Sequence, residues 1–478
     1  MDTIATSPTK TPPLNRLFSW RLARRVLIGV AVLATLVAAF YTEENWRGKR
    51  AWEKCRRELE ARGAVFDWVT RIPPPVADDQ NFFGAPNMAE WFAGRRTNDF
   101  SKRLDDPKTH SISIDGTNAI QTEVDARDYL TWSDQFLPDF DEIRTALKRP
   151  YARIDCDYGQ PTTVLAPNFR TIRDLVQTLA QRAHCFLLVG EPDKALGELT
   201  LLHDLCRILQ CAPTGKPITL VGAMIDVAVT GLYVDAVAEG LRAHAWREPQ
   251  LGVLERQFGE IHLETALAET FVDEPMFTLR TLETSSRAEL VKLFLGAPDS
   301  SKRSVLLLKY APRGWLYQYM VVHARLNEKV SGGVDVANRT VLPRKIDGAA
   351  QVLQYNIDHV SPYNFLAYWW TPNWRKAVQR FAGNQTMANE GAVACALERY
   401  RLTHGEFPET LAELAPQFID NLPHDLIGGQ ALKYRRVDGG QFLLYSIGWN
   451  ETDDGGVPGK NIAEGDWVWG QSSQATRR

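Results

Sequence analysis

An uncharged run from Val26 to Tyr41 follows three arginines, Arg21, Arg24 and Arg25. As a helix this run spans roughly 24 Å. Leu22 and Ala23, which precede Arg24 and Arg25, bring the length closer to a hydrocarbon core of about 30 Å. It has no polar stripe of the kind that marks a surface helix. The pattern predicts an uncleaved membrane anchor over residues 26–42, with the arginines on the cytoplasmic side. A signal peptide cleaved after Val37-Ala38-Ala39 and a buried helix of a soluble domain are the alternatives.

The segments around this anchor are polar. Residues 1–25 contain Pro8, Pro12 and Pro13 with Ser and Thr, and they predict a disordered basic tail. Residues 43–63 predict a charged juxtamembrane helix that ends at Gly63. Its basic face could lie on anionic headgroups or be solvated. Residues 64–159 contain "RIPPPVADDQNFFGAPN" and show no clear period, so they predict a mixed or irregular region.

A helical bundle is predicted for residues 160–345. The apolar positions Ile172, Leu175, Val176, Leu179 and Ala183 follow the spacing of one helix face. Gly190 and Pro192 interrupt the pattern before a second helix, which predicts an αα-hairpin. The junction "GEPDKA", with Ala195 expected to pack on the preceding helix, is similar in packing to the corner of a tetratricopeptide repeat, without a second copy of the repeat.

The stretch "ITLVGAMIDVAVTGLYVDAVAEGL" within this bundle is apolar on almost every face and long enough to cross a bilayer. However, it contains Asp226, Asp235 and Glu239, and carboxylates in lipid are costly. We therefore expect a helix buried in the bundle. Asp226 and Asp235 lie nine positions apart, on opposite helix faces, so they do not form a pair of catalytic carboxylates.

Near the C-terminus the spacing of apolar residues changes from that of a helix to that of β-strands. Residues 346–478 predict a long helix from about 373 to 402 that ends at Gly405, then a hairpin of "ALKYRRV" and "QFLLYSI", a polar loop, and a final strand in "DWVW". A small sheet needs another element to cover its apolar face, so Leu432, Tyr434, Leu443 and Tyr445 are expected to reach the helix. The fold class is therefore mostly α, with a C-terminal α+β unit in which a helix lies on a small antiparallel sheet.

The order "YRLTHGEFPETL", "LPHDLIGGQALKY", "FLLYSIG", an Asp/Gly loop and "GDWVW" resembles the globular domain of the major pseudopilin of type II secretion. The whole layout also resembles large uncharacterised bacterial proteins with an N-terminal anchor. A true pseudopilin joins its membrane helix directly to the sheet domain, whereas about 330 residues intervene here. The resemblance therefore does not imply a filament subunit.

The pseudopilin resemblance implies a calcium site in the polar loop. The family's ligand positions fall on Asn450 and Asp466, and Asp453 and Asp454 add carboxylates nearby. Calcium takes about six to eight oxygen ligands. The loop differs from the family in length and has Asn where the family has its first Asp. A solvated Asp/Gly turn, with no cofactor, is the alternative.

Composition narrows the chemistry. The net charge of −3 gives no overall attraction for nucleic acid, and the six cysteines form no C-x-x-C pair. His203 and Asp204 precede Cys206, but adjacent helix positions point about 100° apart, so no Cys-His dyad is predicted. The aromatic stretch at Tyr363, Phe365, Tyr368, Trp369, Trp370 and Trp374 suits an interfacial belt, a stacking platform or core packing.

No catalytic residue is predicted, since H-E-x-x-H, G-x-S-x-G and Walker motifs are absent from the sequence. The expected function is that of a bacterial inner-membrane protein with one span and most of the chain outside the cytoplasm. Its role would be structural or in protein interaction, with a protein partner on the helical region. An extracytoplasmic enzyme with a site assembled from distant residues, and an accessory component of a secretion or pilus-like system, are the alternatives.

Overall fold

The computed structural model describes residues 20–94, 97–106, 120–159, 167–210, 219–295, 302–367, 371–437 and 439–470, and they are mostly helical. The helices of the first half are α1 Trp20–Glu60, α2 Met88–Phe92, α3 Asp99–Leu104, α4 Glu123–Ser133, α5 Leu137–Ala146, α6 Phe169–Leu188, α7 Pro192–Gln210 and α8 Leu220–Arg242. Those of the second half are α9 Glu248–Gly259, α10 Leu263–Thr284, α11 Arg287–Leu295, α12 Lys302–Tyr310, α13 Arg313–Ser331, α14 Pro343–Asp358 and α15 Trp374–His404.

Two small antiparallel sheets complete the fold. The strands β1 Val334–Asp335 and β2 Thr340–Val341 form a short hairpin between α13 and α14. The strands β3 Lys433–Val437, β4 Gln441–Ser446 and β5 Trp467–Val468 follow α15 in the order β3-β4-β5. The mostly α fold class with a C-terminal antiparallel sheet is thus confirmed.

One helix, α1, covers both the predicted anchor and the predicted juxtamembrane helix without interruption. The disordered tail predicted for residues 1–25 lies outside the described residues, except for Trp20–Arg25, which form the first turns of α1. The region 64–159 contains short 3₁₀ turns and helices α2–α5. Aromatic side chains fill its interior, and the rings of Trp91 and Phe100 stack with centroids 4.4 Å apart.

The predicted hairpin is formed by α6 and α7. Gly190 adopts a left-handed φ of 77°, which suits glycine after a helix C-terminus. Pro192 is the first residue of α7, and Ala195 is fully buried, as expected from the sequence. Inside the hairpin, the buried Arg182 donates to Glu198 at 3.0 Å and to Asp134 at 3.0 Å, so its charge is compensated.

Helix α15 passes through the centre of the molecule. Its residues from Ala377 to Glu398 are buried except for the partly exposed Arg380, and they pack on α8, α9, α10 and α14 as well as on the C-terminal sheet. Gln385 accepts from the backbone N–H of Leu263 at 2.7 Å and donates to the carbonyl of Ile261 at 2.9 Å. It thereby satisfies backbone groups at the start of α10 that the helix leaves open. The left-handed Gly405, with φ 86°, ends α15 as predicted.

The register of the C-terminal sheet decides which side chains face α15. Tyr434 lies opposite Leu444, and both join the core with Leu432, as does Phe442. Leu443 and Tyr445 point to the other face, beneath the loop, where the Tyr445 hydroxyl donates to Asp453 at 3.0 Å. The prediction was therefore right for Leu432 and Tyr434 and wrong for Leu443 and Tyr445, because a shift of one residue exchanges the two faces of a strand.

Two apolar clusters form the core. The larger one extends from Phe82 through helices α2–α10 and α15 to the C-terminal sheet. The smaller one joins the second half of α1 to α10, α11, α12, α13 and the segment Phe365–Ala367. The aromatic stretch therefore contributes to core packing at Phe365 and Trp374, which are 6% and 3% exposed. Tyr368, Trp369 and Trp370 lie outside the described residues.

Candidate functional site

Helix α1 has two halves with opposite surroundings. An 18-residue window in its first part has a mean hydropathy of 2.0, and none of that window is buried. Exposed apolar side chains cover this half on all sides: Val26, Leu27, Ile28, Val30, Val32, Leu33, Leu36, Val37 and Phe40. From Trp20 to Tyr41 a helix rises about 32 Å, close to the thickness of a hydrocarbon core. This helix is long and apolar enough to span a membrane.

The second half of α1 packs into the fold against α13. A Cβ atom at Gly48 or at Gly314 would overlap the backbone of the other helix, so the two glycines permit the close approach. The buried Glu44 accepts from the indole N–H of Trp315 at 2.8 Å, and the amide oxygen of Asn45 accepts from the backbone N–H of Gly314 at 2.9 Å. These contacts fix the direction of α1 relative to the domain.

The second apolar helix, α8, has a different environment. Its most hydrophobic window is 61% buried, and Asp226 within it is 2% exposed. Neighbouring helices α6, α7, α10 and α15 cover it. This agrees with the prediction of a helix inside the bundle.

The four candidate calcium ligands lie in one loop, where their oxygen atoms take part in hydrogen bonds. Asp466 is 2% exposed, and its two oxygens accept from the backbone N–H groups of Asp454 at 3.2 Å and Gly456 at 2.6 Å. Asp454 accepts from the side-chain amide of Asn450 at 2.8 Å. Asp453 accepts from the N–H of Gly455 at 3.0 Å and lies 3.3 Å from the Lys433 ammonium.

This geometry explains the electrostatics of the loop. The N–H of Gly455 and the hydroxyl of Tyr445 lower the pKa of Asp453, while burial raises the pKa of Asp466. A solvated Asp/Gly turn would leave the loop carboxylates exposed, but Asp466 points inward and holds the loop closed through its two backbone hydrogen bonds. Within the described residues, no three His, Cys, Asp or Glu side chains are grouped as metal ligands. Calcium binding here stays a prediction.

Two buried carboxyl groups between α15 and the sheet were missed by sequence reasoning. Glu390 is fully buried, and among the described residues neither of its carboxylate oxygens has a hydrogen-bond partner of good geometry. Asp425 accepts from the Ser446 hydroxyl at 2.7 Å and from two backbone N–H groups. Burial raises the pKa of both, and the charge of Asp425 raises that of Glu390 further. A glutamate within the otherwise uncharged stretch from Asn384 to Leu397 was the available signal.

The candidate thiol and imidazole do not form a reactive pair. Burial raises the pKa of the Cys206 thiol well above its ordinary value, which disfavours the thiolate. The His203 side chain is only 14% exposed, and it lies 3.6 Å from Asp204 and 3.7 Å from Glu260. This agrees with the sequence argument against a dyad.

A groove of about 310 Å³ lies between the end of α1, α10 and α13. Its walls are mainly apolar, with Phe66, Phe271, Met276 and Leu279 among the lining residues. An ion pair between Arg62 and Glu328, at 2.7 Å, lies along it. Sequence reasoning missed the groove, because its walls come from segments more than 200 residues apart.

The chain matches no family model, and no curated protein or solved structure matches it.

Proposed function

We propose that the protein is a single-pass membrane protein that holds a helical domain at the outer side of the bacterial cytoplasmic membrane, in a structural or protein-interaction role. The observation that carries this proposal is the continuity of α1. Its exposed apolar half continues without a break into a half that is packed on α13. A flexible linker would let the domain move freely, whereas a continuous helix sets its orientation relative to the bilayer.

The position of the basic residues next to the span supports this orientation. Arg21, Arg24 and Arg25 lie directly before the apolar run, whereas the basic residues on its other side begin only at Arg47, six positions after Tyr41. Cationic residues are enriched on the cytoplasmic side of membrane helices. The domain would therefore lie outside the cytoplasm, in keeping with a partner that is also extracytoplasmic.

The resemblance of residues 373–478 to a pseudopilin domain supports, as a second proposal, an accessory role in a secretion or pilus-like system. The order of elements, one long helix followed by a three-stranded antiparallel sheet, is in keeping with this resemblance. The burial of α15 by the bundle on its other sides differs from a free-standing domain. The filament role is therefore not proposed.

Fractionation of cells that make the full chain tests the main proposal. We expect the protein to stay in the membrane pellet after alkaline carbonate extraction, and a C-terminal tag to be digested by protease in spheroplasts. Leu33→Arg should shift protein to the soluble fraction, because an arginine at the centre of a span costs about 2.5–3.5 kcal/mol. Val457→Arg, at a site 61% exposed in the C-terminal loop, is the matched control. A soluble wild-type protein, or a tag protected in spheroplasts, would contradict the anchor or its orientation.

A further inference from the structure

Helices α1 and α13 run parallel, so each residue of α13 lies beside a known position along α1. Asn45 near the start of the packed half contacts Gly314, and further along Glu58 pairs with Arg325 at 3.2 Å. The start of α13 therefore lies beside the point where the uncharged run of α1 ends. The end of α13 lies far from it.

The chain just before α13 contacts the last residues of that run. The Tyr41 hydroxyl donates to the backbone carbonyl of Tyr310, the last residue of α12. The ring of Phe40 meets the ring of Trp315 edge-on, with centroids 6.3 Å apart. The C-terminal end of α12 is thus at the level where the apolar run gives way to charged residues.

Arginine side chains hold α11 and α12 at this same end of the domain. Arg313 donates to the carbonyls of Leu282 at 3.0 Å and Ser285 at 3.1 Å, which joins the end of α10 to the start of α13. Arg287, the first residue of α11, donates to the carbonyls of Leu308 at 3.4 Å and Lys309 at 3.3 Å. Both short helices therefore form the end of the domain that is nearest the anchor.

Helices α11 and α12 carry large apolar side chains on both their buried and their exposed sides. Leu290, Phe294 and Leu308 are buried in the smaller core cluster. A second set of large apolar side chains is exposed, and we call it the leucine face: Leu293 at 44%, Leu295 at 58%, Leu306 at 60%, Leu307 at 38% and Tyr310 at 55% exposure. The exposed Lys292 and Lys309 accompany it, and the Lys309 ammonium lies 5.2 Å from the Tyr310 ring centroid.

We propose that the leucine face binds the surface of an anionic phospholipid bilayer beside the anchor, with the leucines among the upper acyl chains and the lysines at the headgroups. This inference rests on the proposed function, since α1 must span the membrane to bring the face to it. Exposed leucines together with lysines are the composition of helices that lie in the interface. Lysine ammonium groups beside an anionic surface are attracted to its headgroups. Two contacts with the bilayer, one spanning and one interfacial, would restrain the domain against tilting.

Photocrosslinking in nanodiscs tests the proposal with the full chain. A benzophenone amino acid is placed singly at Leu306, Leu293, Leu33 and Val457, and lipid adducts are quantified by mass spectrometry in discs of phosphatidylcholine with phosphatidylglycerol. Leu33 reports the span, and Val457 is an exposed apolar site far along the chain. We expect adducts at Leu306 and Leu293 several-fold above Val457. Lys292→Glu with Lys309→Glu should lower the yield at Leu306 in these discs and change it little in phosphatidylcholine alone.

The outcomes separate the two proposals. Adducts at Leu33 with only background at Leu306 and Leu293 would overturn the leucine-face proposal and leave the anchor in place. Background at Leu33 would overturn the anchor, and with it the proposal that the leucine face binds lipid beside a membrane span. Crosslinks from Leu306 to a polypeptide instead of lipid would show that a protein, such as a second copy, covers the face and would overturn the lipid assignment.

Discussion

Glu390 is an ionisable side chain in the interior of α15, where its charged form has little support. Burial raises its pKa, the neighbouring Asp425 raises it further, and the backbone of Ser446 lowers it only in part. The carboxyl group is therefore protonated in the folded protein at a pH where it is ionised in the unfolded chain. Between those two pKa values the folded state binds the extra proton, so stability falls as the pH rises above the unfolded value of about 4.3.

Glu390→Gln removes this proton requirement while it keeps the shape of the side chain. We expect the variant to gain stability relative to the wild type as the pH rises from 5 to 8, by about 1.4 kcal/mol per pH unit while Glu390 stays protonated in the folded state. Thermal unfolding of both proteins in the same detergent across this pH range gives the difference. The contributions of other titrating groups to stability cancel in this comparison if the substitution leaves their pKa values unchanged. An offset that is the same at every pH would show that Glu390 differs from glutamine only in packing.

Asp466 has a structural task that the sequence did not reveal. The two oxygens of Asp466 accept from the backbone N–H groups of Asp454 and Gly456. We therefore expect Asp466→Ala to release the loop, to reduce the free energy of unfolding by about 1–3 kcal/mol and to lower the unfolding midpoint. The loss should appear in EDTA, where the two backbone hydrogen bonds alone account for it. Asp454→Ala, which removes a more exposed carboxylate of the same loop, should cost less. A wild-type midpoint that rises with calcium, with the gain absent in Asp466→Ala, would instead establish the metal site.

At the scale of elements, α10 contains a proline whose effect is compensated by another helix. Pro275 has no N–H, so the carbonyl of Phe271 four residues earlier lacks its helical donor. The side-chain amide of Asn327 on α13 donates to that carbonyl at 2.7 Å. The proline and the asparagine therefore form one unit across the two helices, next to the apolar groove.

A double-mutant cycle measures this unit. Asn327→Ala should destabilise the fold by about 1–3 kcal/mol, because the Phe271 carbonyl loses its partner. In the Pro275→Ala background the new N–H can bond that carbonyl, so the same Asn327→Ala change should cost clearly less. Thermal unfolding of the four proteins provides the coupling energy. Equal costs in both backgrounds would mean that Asn327 acts through other contacts.

Helices and strands with a strong hydrophobic periodicity could be predicted from the sequence, whereas the contacts between these elements could not. Gly190 and Gly405 end helices and Pro192 begins one through local backbone chemistry, so the hairpin and the end of α15 were predictable. Which face of β4 is buried depends on the register, and Leu444 rather than Leu443 faces the core. The inward Asp466 and the buried Glu390 depend on segments brought together only by folding. Of the candidate functional features, the long apolar helix near the N-terminus could be predicted from the sequence.

For the whole molecule, the contact between α1 and α13 fixes the direction of α1 relative to the domain. Gly48 and Gly314 allow the two backbones to touch, and Glu44 and Asn45 bond to the first residues of α13. The smaller core cluster then continues the contact through Trp52, Cys55 and Leu59. If this contact opened, the domain would be tethered by a helix that no longer sets its orientation.

Gly314→Ala tests this role, because the added methyl group would overlap the carbonyl of Glu44. We expect a loss of about 1–3 kcal/mol from overpacking, measured by thermal unfolding of the full chain. Limited proteolysis should also cleave earlier in the second half of α1. Gly197→Ala in α7 is the matched control, since no atom of the described residues lies within 4 Å of its added Cβ. That variant should gain up to about 1 kcal/mol from helix propensity. A Gly314→Ala protein that melts and is cleaved like the wild type would show that close packing of the two helices does not hold the domain on its anchor.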